Sequence, residues 1–319
     1  NGGKTLIKVT DNGSGMSEED AKCCFLRHAT SKIRTASDLD GIATMGFRGE
    51  ALASIAAVAK IVLTTRPESQ IEGTKVVVEA GEIKEVSYAG CGQGTSIEIR
   101  DLFFNTPARM KFLKSEATET ALITETVEKF IISRPDVSFK LIKNKREALY
   151  SAGDNDSFSN LTNIYGREIT DNLIRINYEE RGIEISGFIG NDKILKTGRK
   201  YQSFFVNGRI VRNKVFFAAV DDAMKGKATT GYHPFVVMDI KIMPALTDVN
   251  VHPTKAEIKF TDDRAVYMNI YNAVRLAFEV EGMEKPRLKV EEPEEMSFIE
   301  PSSEIKKEDT ITFNILNTN

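Results

Sequence analysis

Four short segments carry residue types that could handle a flat, charged ligand. In the first, Asp11-Asn12-Gly13-Ser14-Gly15 follows the apolar, β-branched run Leu6–Val9. A carboxylate at a strand end can accept a hydrogen bond from an exocyclic amine such as adenine's, and the glycines let backbone approach closely. An Asx turn gives the same pattern with no ligand. In the second, Gly46-Phe47-Arg48-Gly49-Glu50-Ala51-Leu52, glycines flank Arg48 directly ahead of a helical run. Unpaired N–H groups at a helix start, beside a cation, suit a phosphate; a glycine hinge before a core helix reads equally well. The third, Arg27-His28-Ala29-Thr30-Ser31-Lys32-Ile33, opens a long polar loop with two hydroxyls and two cations. It could close over a polyphosphate as a lid, or simply be a helix C-terminus whose basic residues answer the dipole. The fourth, Gly94-Thr95-Ser96, enters a strictly alternating strand, where the Thr95 hydroxyl could back Asp11.

Other chemistries are excluded. Gly41-Ile42-Ala43-Thr44-Met45-Gly46 has P-loop glycine spacing but continues Phe47-Arg48 rather than Lys-Ser/Thr. There is no dinucleotide fingerprint. His28, His233 and His252 are far apart, and Cys23, Cys24 and Cys91 have neither zinc nor disulfide-framework spacing. Nothing in the chain is apolar enough over a sufficient length to span a bilayer, and no signal peptide opens it, so a cytoplasmic protein without a membrane partner is expected. The net charge of −3 is uneven: from Glu279 onward eleven acidic residues face five basic ones, leaving a mildly basic body.

The elements that must position these residues follow from periodicity. Strands are predicted at Leu6–Val9, Lys60–Thr65, Thr74–Glu79, Ile83–Tyr88 and Ser96–Arg100, with helices from Ser17 to Arg27, Glu50 to Val58 and Ser115 to Ile132. Ser17 with Asp20 resembles a capping box. A strand at Ser138–Ile142 precedes Ser151–Ser159, whose Ser, Asp, Asn and Gly content marks a boundary. Beyond it lie strands at Leu173–Asn177, Ile183–Ile189, Ser203–Val206, Phe235–Ile242 and Ala256–Phe260, and helices at Asn213–Met224 and Asp262–Glu279, an α+β pattern with a central βαβ unit. Three parts are expected: residues 1–152, residues 153–282, and an acidic, disordered linker over residues 283–319. Arg199, Lys200, Arg209, Arg212 and Lys214 cluster around the Ser203–Val206 strand and could contact DNA phosphates without reading sequence; a solvated face is the alternative.

Together, in this order and spacing, the four segments resemble the GHKL ATPase superfamily. Arg27–Ile33, the full Gly46–Leu52, Leu102-Phe103-Phe104-Asn105-Thr106-Pro107-Ala108-Arg109 and Asp248-Val249-Asn250-Val251-His252-Pro253-Thr254-Lys255 narrow the resemblance to its MutL mismatch-repair family. Phe205-Val206-Asn207-Gly208-Arg209 fits it too, and the resemblance runs to about Glu281. The resemblance implies a two-layer GHKL α/β sandwich with a mixed sheet, followed by a transducer-type α+β domain whose βαβ crossover has the rarer left hand. It implies ATP and Mg2+ as cofactors. Asp11 would bind the adenine amino group with Thr95 beside it. Gly13 and Gly15 would shape the pocket, and Thr30, Ser31 and Lys32 would belong to the lid. Arg48, Gly49, Glu50, Ala51 and Leu52 would face the phosphates. Lys255 would reach the γ-phosphate from the second domain as its sensor. Leu102–Arg109 reads as a packing corner. The family's catalytic Glu and magnesium-binding Asn precede the Asp11 strand and have no counterpart here. The expectation is therefore an ATPase in the intact protein, and a chain that binds ATP weakly, hydrolyses it poorly and is unstable alone. The implied partners are nonspecific DNA, a mismatch-recognition protein of the MutS type and a second copy. A type II topoisomerase ATPase subunit and a nonhydrolytic DNA-binding adaptor are the competing readings.

Overall fold

The computed structural model describes residues 1–27, 49–243, 247–248 and 259–284. Alternation of apolar and polar residues dictates the first sheet. Its strands are β1 (Leu6–Asp11), β2 (Lys60–Arg66), β3 (Gly73–Glu79), β4 (Glu82–Ala89) and β5 (Gly94–Arg100), in the order β1-β5-β2-β3-β4. All four pairings are antiparallel. This corrects the expectation of a mixed sheet. Parallel neighbours need a long crossover, whereas β2, β3 and β4 follow one another through short reversals. The tightest, Ala80-Gly81, holds φ at 52° and 86°, as a two-residue hairpin turn requires.

One face of this sheet buries Ile61, Leu63, Val76 and Val78 against Ala21 of α1 (Glu18–Cys23), Phe25 and Ala56 of α2 (Ala51–Ala56). The other face meets solvent, and there Glu98 receives Lys8 at 2.9 Å and Arg100 at 2.7 Å. The helix α1 starts where the capping pair puts it, with Asp20 N–H donating to Ser17 Oγ at 3.1 Å. It ends at Cys23, earlier than predicted, and tightens into a turn in which Leu26 N–H donates to Cys23 O at 2.9 Å.

After β5 the chain makes a hard corner, with Asp101 and Phe103 at φ 51° and 66°. Phe103 N–H donates to Val58 O at 2.7 Å, and Asn105 Nδ2 donates to Ala57 O at 2.9 Å. The Leu102–Arg109 segment therefore ties the end of β5 to the α2–β2 turn, and Pro107 opens the short α3 (Pro107–Met110). Helix α4 (Glu116–Ser133) begins under the Ser115 cap.

The hairpin β6 (Phe139–Lys143) and β7 (Arg146–Ser151) leads into α5 (Ser157–Tyr165) and α6 (Arg167–Thr170). Periodicity does not predict β7, α5 or α6. The Ser/Asp/Asn-rich stretch that reads as a boundary contains the cap of α5, where Ser159 N–H donates to Asp156 Oδ1 at 3.0 Å. Capping and turn residues are the same residue types, so composition cannot separate the two uses.

The second sheet consists of β8 (Leu173–Glu180), β9 (Ile183–Gly190), β10 (Gln202–Val206), β11 (Arg209–Val211) and β12 (Val236–Ile242), ordered β11-β10-β12-β9-β8. Strands β10 and β12 are parallel, with α7 (Lys214–Ala223) between them in sequence, which is the predicted βαβ unit. One face packs on α7 and α8 (Asp263–Glu284) through Phe204, Phe216, Val220, Ile270 and Val274. The opposite face sets Phe188, Phe205 and Val237 against Ile132 of α4 and Leu161 of α5. A two-residue pair, β13 (Thr247–Asp248) and β14 (Lys259–Phe260), precedes α8. The fold is α+β.

Phe216 is fully buried between Phe204 and Phe260. Phe216→Ala should cost about 3–5 kcal/mol of unfolding free energy. Phe112→Ala, at an 85% exposed position, should cost less than about 0.5 kcal/mol. Urea denaturation of the two variants measures the contrast, and equal losses would contradict the core assignment.

Candidate functional site

The antiparallel registers place three hydroxyl or carboxyl side chains in one row. Asp11 of β1 stands opposite Thr95 of β5, and Thr95 stands opposite Thr65 of β2. Residues directly opposite share a face, here the helix-covered one. Thr65 is fully buried. Its Oγ1 lies 3.0 Å from Thr95 Oγ1, donates to Gly94 O at 3.0 Å and accepts Met16 N–H at 2.9 Å. Nothing in the sequence singled Thr65 out, because it sits inside an ordinary alternating strand. Its one legible signal is a polar residue at a core-facing position after Ile61 and Leu63.

Asp11 is exposed at the strand end. Its Oδ1 accepts Gly13 N–H at 2.9 Å, so the Asx turn is present. Among the described residues its second oxygen has no hydrogen-bond partner. The glycines do different jobs. At Gly15, φ is 69° and an added Cβ would stand 2.1 Å from Arg66 O, so the loop after Asp11 lies directly on the end of β2. At Gly94, φ is 115° and an added Cβ would stand 2.1 Å from Asp11 O. Only glycine permits both approaches. Gly13 instead accommodates the Asp11 carboxylate in the turn.

Gly49, at φ 61°, leads through Glu50 into α2, and Ala51 is its first residue. Leu52 packs in the same apolar cluster as Met16 and Ile97. The start of α2 and the Asp11 row thus share one layer, and Leu52 turns its side chain inward. Thr30, Ser31, Lys32, Arg48 and Lys255 lie outside the described residues, as do His28 and His252.

In the second sheet the β10–β11 register divides the five basic candidates. Phe204 pairs with Val211 and Val206 with Arg209, so Arg199, Lys200, Arg212 and Lys214 fall at one end of the hairpin and Arg209 at the other. Arg199 is engaged: it pairs with Asp221, bonds Gln202 Oε1 at 3.1 Å and stacks over Phe217 at 4.9 Å. His233 Nδ1 meets the same Asp221 at 3.2 Å. Burial pulls the Arg209 guanidinium down from its ordinary pKa. Lys200, Arg212 and Lys214 are exposed. Sequence reasoning missed Tyr201, whose ring carries Lys200 at 4.7 Å and Lys196 at 5.3 Å. The signal was a tyrosine immediately after Arg199-Lys200.

Two clefts of about 470 and 430 Å3 open on the second sheet, both bordered by Asp239 and Lys241. Burial pushes the Asp239 carboxyl up. Neither cleft touches the Asp11 row. The row sets polar side chains of β1, β5 and β2 side by side, so the candidate site is assigned there on chemistry rather than on cavity size. Among the described residues no group of three or more His, Cys, Asp or Glu could hold a metal ion, and no helix is long and apolar enough to cross a membrane.

Residues 161–279 match the family described as DNA mismatch repair protein, C-terminal domain. Over 290 residues the chain is 44% identical to the DNA mismatch repair protein MutL of Caldanaerobacter subterraneus, covering 91% of this chain and 49% of that protein. It is 44% identical to MutL of Clostridium botulinum over 88% of this chain and 42% of that one. The chain therefore spans about half the length of the curated relatives it matches. Among solved structures, the Aquifex aeolicus MutL ATPase domain complexed with ADP superposes with a TM-score of 0.57 at 25% identity, covering 84% of this chain and 85% of that one. The N-terminal domain of a DNA repair protein superposes with a TM-score of 0.72 at 21% identity, over 89% of this chain and 88% of that one, a likeness of fold.

Gly94→Ala should part β1 from β5, since the new methyl meets Asp11 O and the backbone is held in the left-handed region. Amide hydrogen exchange should quicken by tenfold or more across residues 6–11 and stay unchanged in β9 and β12. Unchanged exchange in β1 would show that the close approach does not pin the strand.

Proposed function

The chain belongs to the MutL family of DNA mismatch repair proteins, and on that premise we propose that residues 1–152 bind ATP and residues 153–282 couple nucleotide state to DNA. The single observation that carries the nucleotide reading is the Asp11–Thr95–Thr65 row, held on one face by strand register. A carboxylate oxygen left over from the Asx turn suits an exocyclic amine. The Aquifex aeolicus relative, whose ATPase domain was solved with ADP, supports the same reading.

The phosphates would meet the start of α2, with Arg48, Gly49, Glu50, Ala51 and Leu52 supplying backbone N–H groups and charge. Thr30, Ser31 and Lys32 would close over them. Lys255 would sense the γ-phosphate, because a cation carried by the second unit gains a partner only in the triphosphate state. Magnesium would enter with the nucleotide, chiefly on its phosphates, and neutralise their charge. Hydrolysis would need a general base to orient the attacking water.

Binding would favour one arrangement of the two units and the pairing of two copies. That switch would license nicking and excision after a MutS-type protein has found the mismatch. DNA would be held without sequence preference by Lys200, Arg212 and Lys214 at one end of β10–β11. Tyr201 and Lys196 would extend that surface, and Arg199 would order it through Asp221.

In the intact protein, Asp11→Asn should weaken a nonhydrolysable ATP analogue by at least about tenfold with little change in melting temperature. Isothermal titration tests this, and undiminished binding would remove Asp11 from the site. Replacing Lys200, Arg212 and Lys214 together by Ala should lower DNA affinity equally for all sequences. The slope of log affinity against log salt should then flatten by about one unit for each phosphate no longer neutralised. An unchanged slope would move the DNA surface elsewhere.

A further inference from the structure

Thr65 is the inner member of the proposed row, and its hydroxyl is held from three sides. It is fully buried and three polar atoms converge on it: Met16 N at 2.9 Å, Gly94 O at 3.0 Å and Thr95 Oγ1 at 3.0 Å. A threonine hydroxyl has one proton and two lone pairs. Met16 N–H can only donate, so it takes one lone pair. Gly94 O can only accept, so it takes the proton. One lone pair remains, and it can only accept from the Thr95 hydroxyl. The Thr95 proton is thereby drawn inward, and the lone pairs of Thr95 are left facing outward beside Asp11.

Resting on the proposed nucleotide site, we infer that Thr65 is a positioning residue that makes Thr95 a second acceptor and so selects a purine bearing a 6-amino group. Asp11 and Thr95 are direct cross-strand partners on one face, where opposite Cβ atoms stand about 4.5–5.5 Å apart. A carboxylate only accepts. Two acceptors side by side match an amine with two N–H groups. They oppose a 6-oxo group, which sets a third acceptor against them and loses the pairing that the amine would make. Sites built on such pairing reject the mismatched analogue far more strongly than shape alone does. Thr65 touches neither base nor phosphate. It acts by fixing the direction of one proton, and Gly94 and Met16 fix Thr65 in turn.

The test is competition between ATP and inosine triphosphate, which carries oxygen where ATP carries the amine. It uses the intact protein and its Thr65→Val, Thr65→Ser and Thr95→Val variants, with melting temperatures recorded in parallel. Valine keeps the shape and removes the hydroxyl, so in Thr65→Val the Thr95 proton is released to point outward, where it suits the 6-oxo group. The preference for ATP over inosine triphosphate should fall roughly tenfold, the worth of one hydrogen bond. Thr65→Ser, which restores the hydroxyl, should restore the preference. Thr95→Val deletes the acceptor directly and should also lower the preference, which keeps the test intact should Thr65→Val fail to fold. If the variants weaken both nucleotides in parallel, Thr65 is merely structural and the inference falls while the nucleotide site stands. If the unaltered protein binds neither nucleotide, the nucleotide reading falls and the inference with it.

Discussion

The main-chain ladder between β1 and β5 is the constraint on which the rest of the first layer depends. Side chains alternate across a strand, so a slip of one residue would carry Asp11 to the solvent face, away from Thr95 and Thr65. Apolar patterning holds this register weakly, because β1 is an edge strand with Leu6 and Val9 both largely exposed. Backbone contact does the work instead. Gly94 stands so close to Asp11 O that no side chain fits between them, and Met16 reaches back to Thr65. The turn after Asp11 is thus bolted to the ends of β5 and β2, and the carboxylate is presented from a rigid edge rather than from a loose loop.

The second layer solves a different problem. Its parallel pair β10–β12 requires a crossover, and α7 provides it while burying Phe216, Ala219 and Val220. The Asn207-Gly208 turn, with both residues at positive φ, reverses the chain in the fewest residues that can join antiparallel strands. That reversal returns Arg212 and Lys214 to the end of the sheet where Arg199 and Lys200 already lie. Asp221 then holds Arg199 and His233 at once, so one acidic side chain orders the local basic surface. Arg209, on the turn side, is separated from that group by the length of the hairpin.

Helix-capping residues open elements throughout the chain: Ser17, Ser115, Asp156 and Asn213 each accept from a backbone N–H in the first turn. The sequence announces three of those starts. Asp156 escapes because its polar neighbours resemble a linker, and a short amphipathic helix adds little periodicity to set against that. The hairpin strand β7 escapes for a similar reason: Arg146-Glu147 begins it with two charges, and an exposed strand has no apolar face to announce it.

By itself the sequence determined the α+β class, the strands that alternate, most of the caps, the family resemblance and the segments around Asp11, Gly49 and Thr95. Each of these is a local property, written in periodicity, in residue type or in a contiguous motif. Tertiary structure alone decided strand order, the all-antiparallel first sheet, the corner at Phe103, and which basic residues share an end of the second sheet. It also decided that Thr65 belongs with Thr95 and Asp11, residues separated by 30 and 54 positions in the chain. A hydroxyl inside an alternating strand looks like any other polar interruption. Only cross-strand register, a relation between distant segments that no local pattern encodes, brings its one proton and two lone pairs to three specific partners.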